Sequence, residues 1–155
     1  MRKQVYLLCV VLVVAGMAVS AQAQAKATGT GSETHYLSGF LGGSKDGSKS
    51  GFTFGALYEY RLEEMFGIGG LIEQAEGDFD DTLLGVPFFI HPYEGLRFVV
   101  APGLEFNGST DFFLRTGVGY DFEVGSGWVL TPKVSVDWVD RDETIVYGLN
   151  IGRRF

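Results

Sequence analysis

Ile145-Val146-Tyr147-Gly148-Leu149-Asn150-Ile151-Gly152-Arg153-Arg154-Phe155 closes the chain, and it alternates. On an extended backbone Ile145, Tyr147, Leu149, Ile151 and Phe155 fall on one side, and Gly148, Asn150, Gly152 and Arg154 on the other. A period of two, with bulky apolar residues on one face only, marks a β-strand between unlike surroundings. Seven earlier stretches share the pattern. They run over 34–43, 51–60, 65–75, 82–92, 96–106, 111–122 and 128–139, with 143–155 as the eighth.

The breaks between them are rich in turn formers and three to seven residues long. They include Asp46-Gly47, Arg61-Leu62-Glu63-Glu64, Tyr93-Glu94-Gly95, Asn107-Gly108 and Asp140-Arg141-Asp142. Asn and Gly tolerate positive φ, so Asn107-Gly108 is a hairpin signal. Connections this short force antiparallel neighbours, because a parallel pair needs a crossover of roughly a dozen residues. The expected fold is all-β, an eight-stranded antiparallel up-and-down barrel over residues 34–155.

One face of that sheet is bulky and apolar, as in Phe52, Phe54, Ala56, Tyr58 and Tyr60, or Leu96, Phe98, Val100, Leu104 and Phe106. The other is expected to hold Gly, Ser, Thr and charges. The first strand is ambiguous, since Tyr36 and Phe40 compete with Leu37 and Leu41. A soluble ligand carrier would turn the apolar face inward; a membrane barrel turns it outward. Three features favour the second. Aromatics recur at strand ends on the apolar face (Tyr60, Phe66, Phe106, Phe112, Tyr120, Trp128, Trp138), where interfacial girdles fall. Glycine recurs on the charged face, where a narrow interior needs small residues. Strands of about ten tilted residues also match the hydrocarbon thickness.

The N-terminal stretch gives the compartment. Met1-Arg2-Lys3-Gln4 precedes an apolar run, Val5–Val19, too short for a spanning helix of about 20 residues. Ala21-Gln22-Ala23 is a small-x-small cleavage signal. Residues 1–23 are therefore expected to be a removed signal peptide, cut after Ala23, and 24–33 a flexible lead-in. A lipoprotein leader is rejected because Leu8 precedes Cys9. All 19 acidic residues lie beyond residue 23, against ten basic ones, for a net charge of −9. Such a balance argues against a nucleic-acid partner. Cys9, the only cysteine, leaves with the leader, so the mature chain has no disulfide, thiol nucleophile or cysteine-bound metal.

The closing stretch, ending in a terminal Phe, resembles the last strand of Gram-negative outer-membrane barrels. With the leader and the strand count, residues 34–155 resemble the OmpX-like and OmpA-transmembrane-domain-like proteins. The resemblance implies location in the outer membrane, contact with its lipids and lipopolysaccharide, and a monomer. It also implies recognition by the barrel-assembly machinery through Tyr147, Leu149, Ile151 and Phe155. Arg153 departs from the family's aromatic or aliphatic residue and is expected to snorkel to headgroups. Two further departures are read from the sequence: no peptidoglycan-binding domain is expected, and the brevity of the loops counts against long adhesive hairpins.

Counting along alternating strands gives heights inside the barrel. Arg115 and Lys133 come near the middle or somewhat above it. Glu73, Glu105 and Asp137 come nearer the cell surface, and Glu59, Arg97, Asp121 and Arg154 nearer the periplasm. Charges confined together are expected to pair, because an unpaired buried charge is costly. The network would plug the lumen or, by exchanging partners, gate a narrow ion path. A general porin is excluded, since it needs about 16 strands. The expected role is structural, with at most weak small-ion conduction. Alternatives are a surface receptor or adhesin working through its loops, or a lipid A-modifying enzyme. No catalytic residue, cofactor or metal site is assigned. His35 and His91 are expected to serve as hydrogen-bonding residues, and the acidic loop Glu76–Asp81 as a solvated charge run.

Overall fold

The computed structural model describes residues 33–140 and 142–155. The expected leader, and the lead-in up to residue 32, lie outside the described residues. Thr34–Arg154 form one compact unit. Its strand segments are β1 (His35–Asp46), β2 (Lys49–Arg61), β3 (Phe66–Gly77), β4 (Asp81–Gly85), β5 (Phe88–Tyr93), β6 (Leu96–Phe106), β7 (Thr110–Tyr120), β8 (Phe122–Gly125), β9 (Trp128–Val139) and β10 (Asp142–Arg154). Segments β4 and β5 share one wall position, as do β7 and β8, so ten segments make eight staves. Every neighbour pairs antiparallel, and β1 meets β10, with Tyr36 opposite Arg154 and Lys45 opposite Ile145. The barrel is closed and the described residues contain no helix.

The fourth and sixth staves differ from the expected continuous strands. The fourth breaks at Val86-Pro87, because proline has no N–H to give the ladder. Pro87 is buried there, its carbonyl accepts from Gly69 N at 2.9 Å, and Val86 N turns to Pro102 O. The sixth breaks at Asp121, whose amide bonds Gly95 O at 2.7 Å. Its pairing with β9 then resumes through Gly125. The first hairpin is tighter than expected: pairing runs to Asp46–Lys49 around Gly47. The inward hydroxyls of Ser44 and Thr53 meet at 2.5 Å and carry the ladder outward. In the Asn107-Gly108 turn only Gly108 takes positive φ, 94°.

The apolar face points out. Phe52, Phe66, Leu84, Phe88, Leu104, Phe112, Trp128, Val134, Tyr147 and Ile151 are all exposed around the wall. Exposed apolar surface on this scale marks contact with a partner or a membrane. The inner face is more mixed than the expected Gly, Ser, Thr and charges. Tyr36, Leu57, Leu71, Phe89 and Val129 form a buried apolar cluster in the lumen, and Phe40 and Phe113 are equally buried. Glycines make room for these rings as well as for the charges. A Cβ on Gly103 would lie 2.5 Å from Phe113, and one on Gly55 would lie 2.6 Å from Glu73.

The ambiguity in β1 resolves with Tyr36, Ser38 and Phe40 inward and Leu37 and Leu41 outward. The partner strand decides it. Gly42 of β1 faces Gly148 of β10, and the Phe40 ring covers both: a Cβ on either would come within 2.7 Å of that ring. Tyr36 covers Gly152 in the same way, at 2.6 Å.

Candidate functional site: the charged lumen

Two ion-pair networks fill the interior. The first is nearer the end that carries the β1–β2, β3–β4, β6–β7 and β9–β10 hairpins. Arg115, on β7, stands directly opposite Asp137 on β9 and grips it in a fork. Nε donates to Oδ1 at 2.5 Å and Nη2 to Oδ2 at 2.7 Å. Its Nη1 reaches across the lumen to Glu73 on β3, at 2.6 Å. The second oxygen of Glu73 takes Lys133 Nζ at 2.9 Å. Lys133 in turn lies over the Phe40 ring, 3.8 Å from its centre. Glu73 is 0% and Arg115 2% exposed, so each charge depends on its partners rather than on water.

The second network lies at the opposite end, where His35 and Arg154 bring the unit's two termini together. Asp121 Oδ2 accepts from Arg97 Nη2 at 2.9 Å and from Arg154 Nη2 at 2.7 Å, and Asp121 Oδ1 takes the Thr131 hydroxyl at 2.8 Å. Arg97 Nη2 is also 3.5 Å from Glu59 Oε2. The other Glu59 oxygen is 2.7 Å from His91 Nε2, and Arg61 lies against the His91 ring. Arg154 also contacts Glu123. The Arg97 guanidinium sits between two rings, 4.5 Å from the centre of Tyr36 and 5.4 Å from that of Phe89.

Eight of the nine charges singled out from sequence thus fall into these two networks. Glu105 stands apart. It accepts from Asn107 Nδ2 at 3.1 Å and shares the hairpin-end mouth with Asp81, Asp111 and Asp137, and also with Lys49 and Arg115. Sequence reasoning did not single out Arg61 or Glu123. Both fall just past the expected strand ends at 60 and 122, although each shares the parity of a lumenal acid two residues earlier (Glu59 and Asp121). The four closing-strand positions lie on β10, except Phe155, which follows it.

Little space remains. A mid-lumen cavity of about 30 Å³ touches both networks and the apolar cluster. Wider spaces open at the ends: about 230 Å³ at the hairpin mouth and about 720 Å³ among Arg61, His91, Tyr93, Tyr120 and Arg154. His35 and Ser38 do not form a nucleophile–base pair. Ser38 points into the lumen, whereas His35 Nδ1 lies 2.7 Å from the Tyr58 hydroxyl, on the outer register. Among the described residues, no cluster of His, Cys, Asp and Glu has metal-binding geometry.

No protein-family model matches the chain. No curated protein matches it either. Solved structures do. The N-terminal β-barrel domain of Pseudomonas aeruginosa OprF superposes with a TM-score of 0.60 at 15% identity, over 79% of this chain and 98% of that one. Ail, the attachment invasion locus protein of Yersinia pestis, gives 0.52 at 17% identity, over 78% and 96%. Neisserial surface protein A gives 0.50 at 12% identity, over 80% and 98%. At these identities the likeness concerns fold. The chain has the closed eight-stranded antiparallel barrel of the small outer-membrane proteins.

Proposed function

We propose that the chain is an outer-membrane barrel with a structural, envelope-maintaining role, and that its lumen is a plug passing at most small ions weakly. The observation that carries this reading is the filled interior. Two ion-pair networks and an apolar cluster leave about 30 Å³ between them, room for about two water-sized atoms and no hydrated solute. The end with the termini faces the periplasm and the four hairpins face outward. The exposed apolar belt then meets lipid, and the girdle aromatics meet headgroups and lipopolysaccharide. Assembly as a monomer by the barrel-assembly machinery belongs to the same reading, and no catalytic role does.

The test is fractionation followed by electrophysiology. The chain should appear in the outer-membrane fraction with heat-modifiable migration. Reconstituted in vesicles, it should admit no sugars, and in planar bilayers it should give only small current steps. Recovery with soluble periplasmic proteins would overturn the location. Sugar uptake, or steps of open-porin size, would overturn the plug.

A further inference from the structure

Toward the end with the termini, the outer face of the wall carries a single arginine among the described residues. Arg153 is exposed on the outward register of β10. It stands opposite Trp128 of β9 on one side and Leu37 of β1 on the other, and Leu37 in turn faces Tyr58 of β2. Around the rest of that rim the outward residues are rings such as Phe66, Tyr120 and Phe122, while Arg61 and Arg154 belong to the lumenal network. Arg153 has no partner among the described residues. Neither has the indole N–H of Trp128, a residue 47% exposed. The outward register of β9, β10, β1 and β2 holds one carboxylate, Glu143, at the far, hairpin end of β10. Glu33 precedes β1 and lies farther toward the terminal end. A guanidinium at a bilayer interface is costly without an anion beside it, and its planar fork matches a phosphate.

The shape of the wall beside Arg153 adds a second, independent observation. Gly39 and Ala56 face each other one outward position farther from the termini than Leu37 and Tyr58. A Cβ on Gly39 would find nothing nearer than the Gly55 carbonyl at 4.0 Å. Ile151, opposite Gly39 on β10, is exposed and borders this low ground on one side. Tyr58 borders the other, held by His35 Nδ1 at 2.7 Å from its hydroxyl, and the His35 ring lies 5.2 Å from that of Tyr60. Unpaired donors thus adjoin a shallow apolar bed.

We propose that the β1–β10 seam binds one glycerophospholipid of the periplasmic leaflet, its phosphate on Arg153 and the Trp128 N–H and an acyl chain laid over Gly39 and Ala56. The inference rests on the membrane reading given above, with the termini toward the periplasm. An anionic headgroup is preferred to a choline or ethanolamine one, because no outward carboxylate of these strands stands near Arg153 to meet an ammonium group. The rest of the rim touches lipid through rings and aliphatic chains, so this seam is the face that selects.

The experiment titrates the full protein, folded in dodecyl maltoside, with phosphatidylglycerol or phosphatidylcholine and counts bound lipid by native mass spectrometry. One phosphatidylglycerol should bind about fivefold more tightly than phosphatidylcholine. Arg153→Gln should remove that preference, and Arg153→Lys should restore part of it. Gly39→Leu should weaken both lipids while keeping their ratio. Lys45→Gln, at the hairpin end, should change nothing; a lost preference there would mean bulk attraction and overturn the site. Heat-modifiable migration verifies the fold of each variant. Should one not fold, the two-lipid comparison on the unaltered protein still decides. Equal binding of the two lipids, or a preference that survives Arg153→Gln, overturns the proposal. Displacement of the lipid by inorganic phosphate overturns it as well, as an anion site only. A chain that folds and stays soluble without detergent overturns the membrane reading and this site with it, whereas a detergent-folded barrel without lipid preference overturns the site alone.

Discussion

Arg115 and Asp137 face each other across adjacent strands and close a two-bond fork, at 2.5 and 2.7 Å, inside a wall where neither meets solvent. The remaining Arg115 nitrogen crosses to Glu73, so one side chain ties two walls of the barrel together. Arg115→Leu leaves two buried carboxylates with reduced compensation. It should cost about 3–5 kcal/mol, the usual penalty for halving a buried pair. The double variant Arg115→Leu with Asp137→Asn should cost less than Arg115→Leu alone, because one orphaned charge is removed with its partner. Urea unfolding of the refolded barrel in vesicles measures both. Equal losses would mean that the arginine acts through packing.

Glycine positions divide by what a methyl group would meet. At Gly103 a Cβ would lie 2.3 Å from the Leu84 carbonyl and 2.5 Å from the Phe113 ring; at Gly70 nothing comes within 4 Å. Gly103→Ala should lower stability by about 1–3 kcal/mol through overpacking. Gly70→Ala should be neutral or gain about 0.5–1 kcal/mol, since alanine has less backbone freedom to lose. Replacing Phe113 by Leu should recover part of the Gly103→Ala loss. The same urea titration reads all three variants, and a costly Gly70→Ala would contradict the open outer face.

Trp128 and Trp138 lie near opposite ends of β9 on the outer register, and Trp138 Nε1 donates to Thr116 Oγ1 at 3.2 Å. Each indole should sit at a membrane interface. In single-tryptophan variants (Trp128→Phe, Trp138→Phe), lipids brominated near the headgroup should quench fluorescence more than lipids brominated at mid-chain. Stronger mid-chain quenching for either residue would displace the girdle.

Phe155→Ala separates assembly from stability. Loss of one buried aromatic is worth at most about 1.5–3 kcal/mol. If the terminal ring is an assembly signal, insertion in cells should fall severalfold while urea stability after refolding changes within that range. Small, equal losses in both readouts would leave it a girdle residue.

Strand number, pairing sense and facing were legible on seven staves, because period-two alternation is a local property. β1 was not. With Tyr36 and Phe40 set against Leu37 and Leu41, both faces are apolar, and the choice rests on glycines more than a hundred residues away. Charge heights followed from counting, so Arg115 with Asp137, neighbours in register, lay within reach of the sequence. The pairing of Arg115 with Glu73 spans the lumen and depends on strand stagger, which no local pattern encodes. Glu105 shows the opposite failure. Correct parity placed it inward, but Asp81, Asp111 and Asp137 share the mouth with it.

The seam between β1 and β10 bears on the fidelity of closure. Phe40 rests on Gly148 and Tyr36 on Gly152, so ring spacing on the first strand matches gap spacing on the last. A slip of two residues keeps the same faces inward and can restore backbone hydrogen bonds, so the ladder alone tolerates it. The side chains do not tolerate it: the place of Gly148 beneath the Phe40 ring would pass to Asn150 or Val146, and that of Gly152 beneath Tyr36 to Asn150 or Arg154. A misaligned barrel is thus rejected by volume. Joining the two ends of the chain acts as a keyed lock, and assembly carries its own error check in four side chains, two of them only hydrogen atoms.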